Sequence, residues 1–164
     1  MRVLSIDPGK ATGLALGYYD DNHPYRFASA WLTQDGIKGF RDWWIGIDGD
    51  RFMEDPGTEI VVEGFVLRGN NFLPSLLGVE IIGYLKGMDY TDTIFWQSRT
   101  DKSFSRTNKK AADELLKAHD LWQTGKAYNH KDGRDVNDAI IHALAHMKKI
   151  NHEPSLAHYF PGES

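Results

Sequence analysis

The chain opens with three apolar runs in close succession, RVLSID, TGLALGYY and PYRFASAWL, each bounded by turn-forming residues. The first stops at Pro8-Gly9, and the second and third are joined by Asp20-Asp21-Asn22-His23-Pro24. Alternation between such punctuation predicts β-strands, and three of them this close together predict an antiparallel meander. The period then changes. Residues 36–47 (GIKGFRDWWIGI) place Phe40, Trp43, Trp44 and Ile47 on one broad apolar face, which predicts a helix. The acidic stretch DGDRFMEDPG reads as a surface loop, whereas TEIVVEGF is apolar almost throughout, as a central strand buried on both faces would be. Pro74–Met88 reads as a helix whose Leu76, Leu77, Val79, Ile81, Ile82 and Leu85 cover more than one face. Gly78 and Gly83 permit close approach of another backbone, so this helix is either wholly internal or the seam of a dimer. TDTIFWQ predicts a fifth strand, Asn108–His119 an amphipathic helix, and Arg134–Ile150 a last helix after the Asn129–Gly133 loop. The expected architecture is α/β, a five-stranded mixed sheet with its first three strands antiparallel, flanked by helices.

Length and composition narrow this further. With 164 residues the chain is expected to form a single domain over 1–150 followed by a C-terminal tail, 151–164. No apolar run is long enough to span a bilayer and no signal segment opens the chain, so no membrane partner is expected. The absence of cysteine excludes a disulfide scaffold and thiolate zinc sites, and it is compatible with a cytoplasmic protein. Any metal must be held by Asp, Glu, His, carbonyls or water. The net charge of −4 hides a basic segment: residues 98–134 carry 9 basic and 5 acidic side chains, a local +4. Such a segment either tracks a phosphate backbone or is an ordinary solvated helix and loop.

Three acidic stations stand out against the apolar pattern. Asp7 ends the first strand at a Pro-Gly turn, Glu63 interrupts the apolar fourth strand before Gly64, and Asp135 and Asp138 sit three apart at the start of the last helix. A DPG sequence alone is common turn chemistry, and Asp135 or Asp138 alone is explained by helix capping and the helix dipole. Glu63 is harder to dismiss, because a carboxylate in a buried strand is costly unless it is paired or binds metal. Carboxylates on rigid elements, distant in sequence, are what divalent cations need for phosphodiester cleavage. Of the histidines, His130 lies in a loop with Lys131 and Arg134 and is read first as a structural residue and second as a phosphate contact. His142, four residues after Asp138, is read first as a structural residue and second as a ligand.

On SIDPGKATGLALG, VVEGFVLRGNNFLPSLLGVEIIG and GRDVNDAIIHALAH, in that order from Met1 to Lys149, the chain resembles the RuvC-type Holliday junction resolvases. These belong to the ribonuclease H-like superfamily, and the sequence looks closest to their phage-encoded branch. The resemblance implies a ribonuclease H-like fold and a metal-dependent, structure-selective endonuclease that resolves Holliday junctions or other branched DNA by paired symmetric nicks. It implies Asp7, Glu63, Asp135 and Asp138 as ligands of two Mg²⁺, with Mn²⁺ as a substitute, and Lys110 as a further catalytic residue. It also implies DNA contacts from Phe65, Arg68, Arg99, Lys109, Lys110, His130, Lys131 and Arg134. Arg99 stands where the family has Lys, and Arg prefers a planar fork with phosphate. Paired nicking implies a C₂ homodimer, for which the 74–88 helix is the expected interface. The implied location is the bacterial cytoplasm, during phage infection. A ribonuclease H-like nuclease acting on RNA–DNA hybrid or structured RNA would carry the same carboxylates. A nonenzymatic branched-DNA binder would need only the basic segment.

Overall fold

Strand β1 (Arg2–Asp7) is the middle strand of a five-stranded sheet ordered β3-β2-β1-β4-β5. Its neighbours are β2 (Thr12–Asp20) and β4 (Thr58–Gly64), with β3 (His23–Thr33) and β5 (Ile94–Ser98) at the edges. The computed structural model describes residues 1–64, 74–88, 94–98, 109–125 and 134–162. The first three strands form the expected antiparallel meander, with Asp7 opposite Gly13. β4 runs parallel to both β1 and β5, with Val3 opposite Glu59 and Glu63 opposite Gln97. Parallel neighbours need crossover connections, which here carry the helices. They are α1 (Gly36–Gly46) and α2 (Gly49–Glu54) between β3 and β4, and α3 (Pro74–Met88) between β4 and β5. After the sheet come α4 (Lys109–Ala118), α5 (Asp135–Lys149) and α6 (Glu153–Tyr159). None of the helices described is long and apolar enough to cross a membrane.

Side chains alternate across a strand, so each strand divides between two cores. Leu4, Ile6, Leu14, Ile60 and Val62 point to one face and pack with Phe40 and Trp44 of α1, Met53 of α2, and Ile81, Ile82 and Leu85 of α3. Val3, Ala15 and Val61 point to the other, against Ala139, Ile140, Ala143 and Leu144 of α5 and Ala112 and Leu116 of α4. Full burial of such aliphatic side chains contributes about 1.5–3 kcal/mol each. The second face differs in kind. Between its apolar residues it also carries Ser5, Glu63 and Gln97, all buried, and beneath them α5 supplies the buried His142 and His146. A polar seam thus runs through an apolar interface.

Two expectations are corrected. The acidic stretch read as a loop contains α2, because Met53 is buried and Trp44 Nε1 donates to Asp50 Oδ1 at 3.1 Å. The segment read as a tail carries α6, with Pro154 in its first turn. It is sewn to β3: the Tyr25 N–H donates to Ser155 Oγ at 2.8 Å, and the Tyr159 hydroxyl donates to the Tyr25 carbonyl at 2.6 Å.

Candidate metal centre

The seam opens at the carboxyl ends of β1 and β4, where the N-terminus of α5 meets the sheet. Asp7 is the last residue of β1 and Glu63 the last but one of β4. Parallel pairing of these strands brings their ends together. The turn after Asp7 is closed by Thr12, whose hydroxyl accepts from the Gly9 N–H at 3.3 Å. Asp135 and Asp138 occupy the first turn of α5, three residues apart and so on one helix face. Gly13 lets that turn come in: a Cβ there would lie 2.0 Å from the backbone carbonyl of Asp135 and 2.5 Å from the Val136 nitrogen. No side chain fits between β2 and the start of α5.

Two sets of ligating atoms result, each within 4.8 Å of one another: Asp7, Asp135 and Asp138 in one, and Asp7, Glu63 and His142 in the other. Asp7 is common to both. The side chains of Asp7 and Glu63 are 14% and 11% exposed, and His142 is fully buried. His142 Nε2 lies 3.0 Å from Glu63 Oε2 and 3.6 Å from Asp7 Oδ1. On its other side, His142 Nδ1 is 2.9 Å from Gln97 Oε1, and Gln97 Nε2 donates to the His142 carbonyl at 3.1 Å. Carboxylate oxygens converging from three elements suit a hard divalent cation, and a carboxylate shared between two sets suits a pair of them. The donor set fits such ions.

Further along the seam stands a second Glu–His pair. His146 Nε2 lies 3.1 Å from Glu59 Oε2, and the Tyr19 hydroxyl donates to the same oxygen at 2.8 Å. Burial works to raise the Glu59 pKa, but the hydrogen bonds from His146 and Tyr19 outweigh it and hold the carboxyl below its ordinary value. The Tyr19 phenol is pushed up, by burial first and then by its bond to Glu59. No third ligand joins this pair among the described residues.

The remaining residues singled out in the sequence are distributed as follows. Arg134, just before α5, is paired with Asp113 of α4 at 2.5 Å and lies 4.0 Å from Asp138 Oδ1. Lys110 is exposed on α4, its Nζ 3.8 Å from Glu114. Phe65, Arg68, Arg99, His130, Lys131 and the side chain of Lys109 lie outside the described residues. Two residues entered the site with little warning. His142 was read as structural first, yet Asp135, Asp138, His142 and His146 form one stripe at helical spacing, the signal that marks it. Gln97, the last residue but one of β5, carried no signal of its own.

No protein-family model matches the chain, and no curated protein sequence matches it. Solved structures do. The mixed sheet, antiparallel over its first three strands and flanked by helices, is the ribonuclease H-like fold. Within that class the fold is RuvC-like. Thermus thermophilus RuvC in complex with a Holliday junction substrate superposes with a TM-score of 0.61 at 14% identity, over 94% of this chain and 98% of that one. A second Thermus thermophilus RuvC structure gives 0.59 at 15% identity, over 93% and 98%.

Proposed function

We propose that the protein is a metal-dependent endonuclease that resolves four-way or otherwise branched DNA by paired, symmetric nicks. The observation that carries the reading is the pair of ligand sets sharing Asp7 at the strand ends of a RuvC-like fold. Supporting it, one structure of similar fold is a RuvC bound to a Holliday junction. Asp7, Glu63, Asp135 and Asp138 would hold two Mg²⁺, with Mn²⁺ able to substitute. Ions held there would supply an activated water for in-line attack and would neutralise charge on the phosphate and the leaving oxygen. Asp7, rooted in the central strand, fixes the shared position. Glu63 is held in place by the buried His142 ring, and Asp135 and Asp138 are set by the seating of α5 on Gly13.

For the DNA we assign phosphate contacts to Arg68, Arg99, Lys109, Lys110, His130, Lys131 and Arg134, and an apolar wedge at the junction to Phe65. Lys110 in addition faces the scissile phosphate. Arg134 must exchange its Asp113 partner for phosphate to serve this way. The products are a 5′-phosphate and a 3′-hydroxyl, the assembly a C₂ homodimer through α3, and the setting the bacterial cytoplasm during phage infection.

The test is cleavage of a labelled four-way junction beside linear duplex, RNA–DNA hybrid and structured RNA, with Mg²⁺, with Mn²⁺ and with chelator. Paired nicks in the junction alone, abolished by chelator, are expected. Asp7→Asn is expected to lose at least about 100-fold in cleavage rate while junction binding persists. Preferential cutting of hybrid or RNA would overturn the substrate, and junction binding without cutting under any metal would overturn the enzyme.

A further inference from the structure

We infer that His142 is a ligand of the cation held by Asp7 and Glu63, that Gln97 sets its tautomer, and that this position therefore prefers Mn²⁺ to Mg²⁺. The inference rests on the metal centre proposed above and adds to it a nitrogen donor and a selectivity.

The hydrogen bonds fix which ring nitrogen faces the carboxylates. Gln97 Nε2 donates to the His142 carbonyl, so the amide is oriented with Oε1 toward the ring. A carboxamide oxygen only accepts, so the Nδ1 it meets at 2.9 Å carries the proton. Nε2 is then the nitrogen turned toward Glu63 Oε2, at 3.0 Å, and Asp7 Oδ1, at 3.6 Å. Nε2 and the two carboxylate oxygens converge from α5, β4 and β1, the donor set that a cation displacing a ring proton would take. Their spacing suits one: neighbouring ligands around an octahedral ion at ~2.1 Å lie ~3.0 Å apart. Gln97 grips both the ring and the backbone of the same residue, the arrangement by which an outer hydrogen bond orients a metal-binding imidazole.

Glu59 and His146 are the internal comparison. There too a β4 glutamate meets an α5 histidine, at 3.1 Å. But the other oxygen donor on Glu59 is a tyrosine hydroxyl rather than a second carboxylate, and His146 Nδ1 has no partner among the described residues. That pair joins helix to sheet. The His142 pair has a second carboxylate converging on the same nitrogen and a residue dedicated to the ring's orientation.

A nitrogen donor changes which ion is favoured. Mg²⁺ takes oxygen ligands and holds its water reluctantly exchanged, whereas imidazole binds first-row transition ions well. The Asp7–Asp135–Asp138 set offers oxygen alone, so the two positions are chemically unlike and the one at His142 fills first with Mn²⁺.

The test is pulsed electron paramagnetic resonance on the full chain with less than one equivalent of Mn²⁺, in the absence of DNA. Histidine nitrogen modulation is expected, changing its pattern when the protein is made with ¹⁵N-histidine. His142→Gln is expected to lose the modulation and bind Mn²⁺ about 10–100-fold more weakly, with little change for Mg²⁺. Gln97→Met is expected to keep the modulation and lose about 10-fold in Mn²⁺ affinity. Bound Mn²⁺ without histidine coupling in the native chain overturns the ligand assignment and leaves the carboxylate site standing, whether or not the variants fold. Unchanged Mn²⁺ affinity in folded Gln97→Met overturns the role of Gln97. No Mn²⁺ binding at all removes the metal centre and this inference with it.

Discussion

Gly13 shows how much a single residue position decides here. It pairs with Asp7 across the β1–β2 ladder and carries the start of α5 on its bare Cα. A methyl group there meets backbone, which cannot rotate away as a flexible side chain would. Gly13→Ala is therefore expected to push the first turn of α5 outward, costing about 1–3 kcal/mol as overpacking does. It should also weaken Mg²⁺ binding by about 10-fold, because Asp135 and Asp138 move off Asp7. Thermal unfolding and titration calorimetry measure the two effects. Lost stability with unchanged Mg²⁺ affinity would mean that Asp135 and Asp138 do not share an ion with Asp7. At this scale the sequence was partly legible. Asp7, Glu63, Asp135 and Asp138 stood out because each is a carboxylate in an apolar setting, and the fold stands them together. His142 was ambiguous, since a histidine on a helix declares its role only when the facing strand is known. Gly13 and Gln97 were silent: their roles depend on a helix backbone and a ring that reach them from more than 40 residues away.

At the scale of elements, the pairing of β4 with α5 is what sets the site, and Glu59–His146–Tyr19 is the part of it that chemistry does not use. Its charge should be visible in stability against pH. The folded carboxyl of Glu59 is held below its ordinary value, with burial opposing and the bonds from His146 and Tyr19 prevailing. A depressed folded pKa means that the stabilisation is present above the unfolded-state value and is lost as pH falls through the folded one. Unfolding midpoints in urea from neutral pH down into the carboxylate range should therefore decline, and Glu59→Gln should flatten that decline relative to the parent chain. An equally steep acid limb in the variant would assign the loss to other carboxylates. The strands and long helices were readable because their periods are long enough to register. α2 and α6, of 6 and 7 residues, were not. Helices that short have little propensity of their own and exist through tertiary contacts, Met53 beneath one and the Ser155 and Tyr159 bonds to Tyr25 beneath the other.

For the whole molecule, the paired nicking proposed above requires two active sites to be joined by a symmetric interface. The sequence left α3 as either internal or a seam, and the structure shows a helix with two unlike sides. Ile81, Ile82 and Leu85 are buried against the sheet. Leu76 is 43% exposed, and added side-chain atoms at Gly83 or Gly87 would meet nothing. Positions 76, 80, 83 and 87 fall on one face at helical spacing, so the exposed leucine and the two bare glycines lie along a single line. A two-fold axis across that line would let the α3 helices of two protomers approach closely, as a self-complementary interface requires. The double substitution Leu76→Glu, Gly83→Glu places like charges on both sides of such an axis while touching neither core. It is expected to convert a dimer into a folded monomer by sedimentation, with melting little changed at the level of the isolated subunit. On a four-way junction carried in a supercoiled plasmid the monomer should accumulate singly nicked product, where the native protein yields paired cuts within one binding event. A native chain that sediments as a monomer at micromolar concentration, or a variant that still dimerises and cuts in pairs, would place the seam elsewhere.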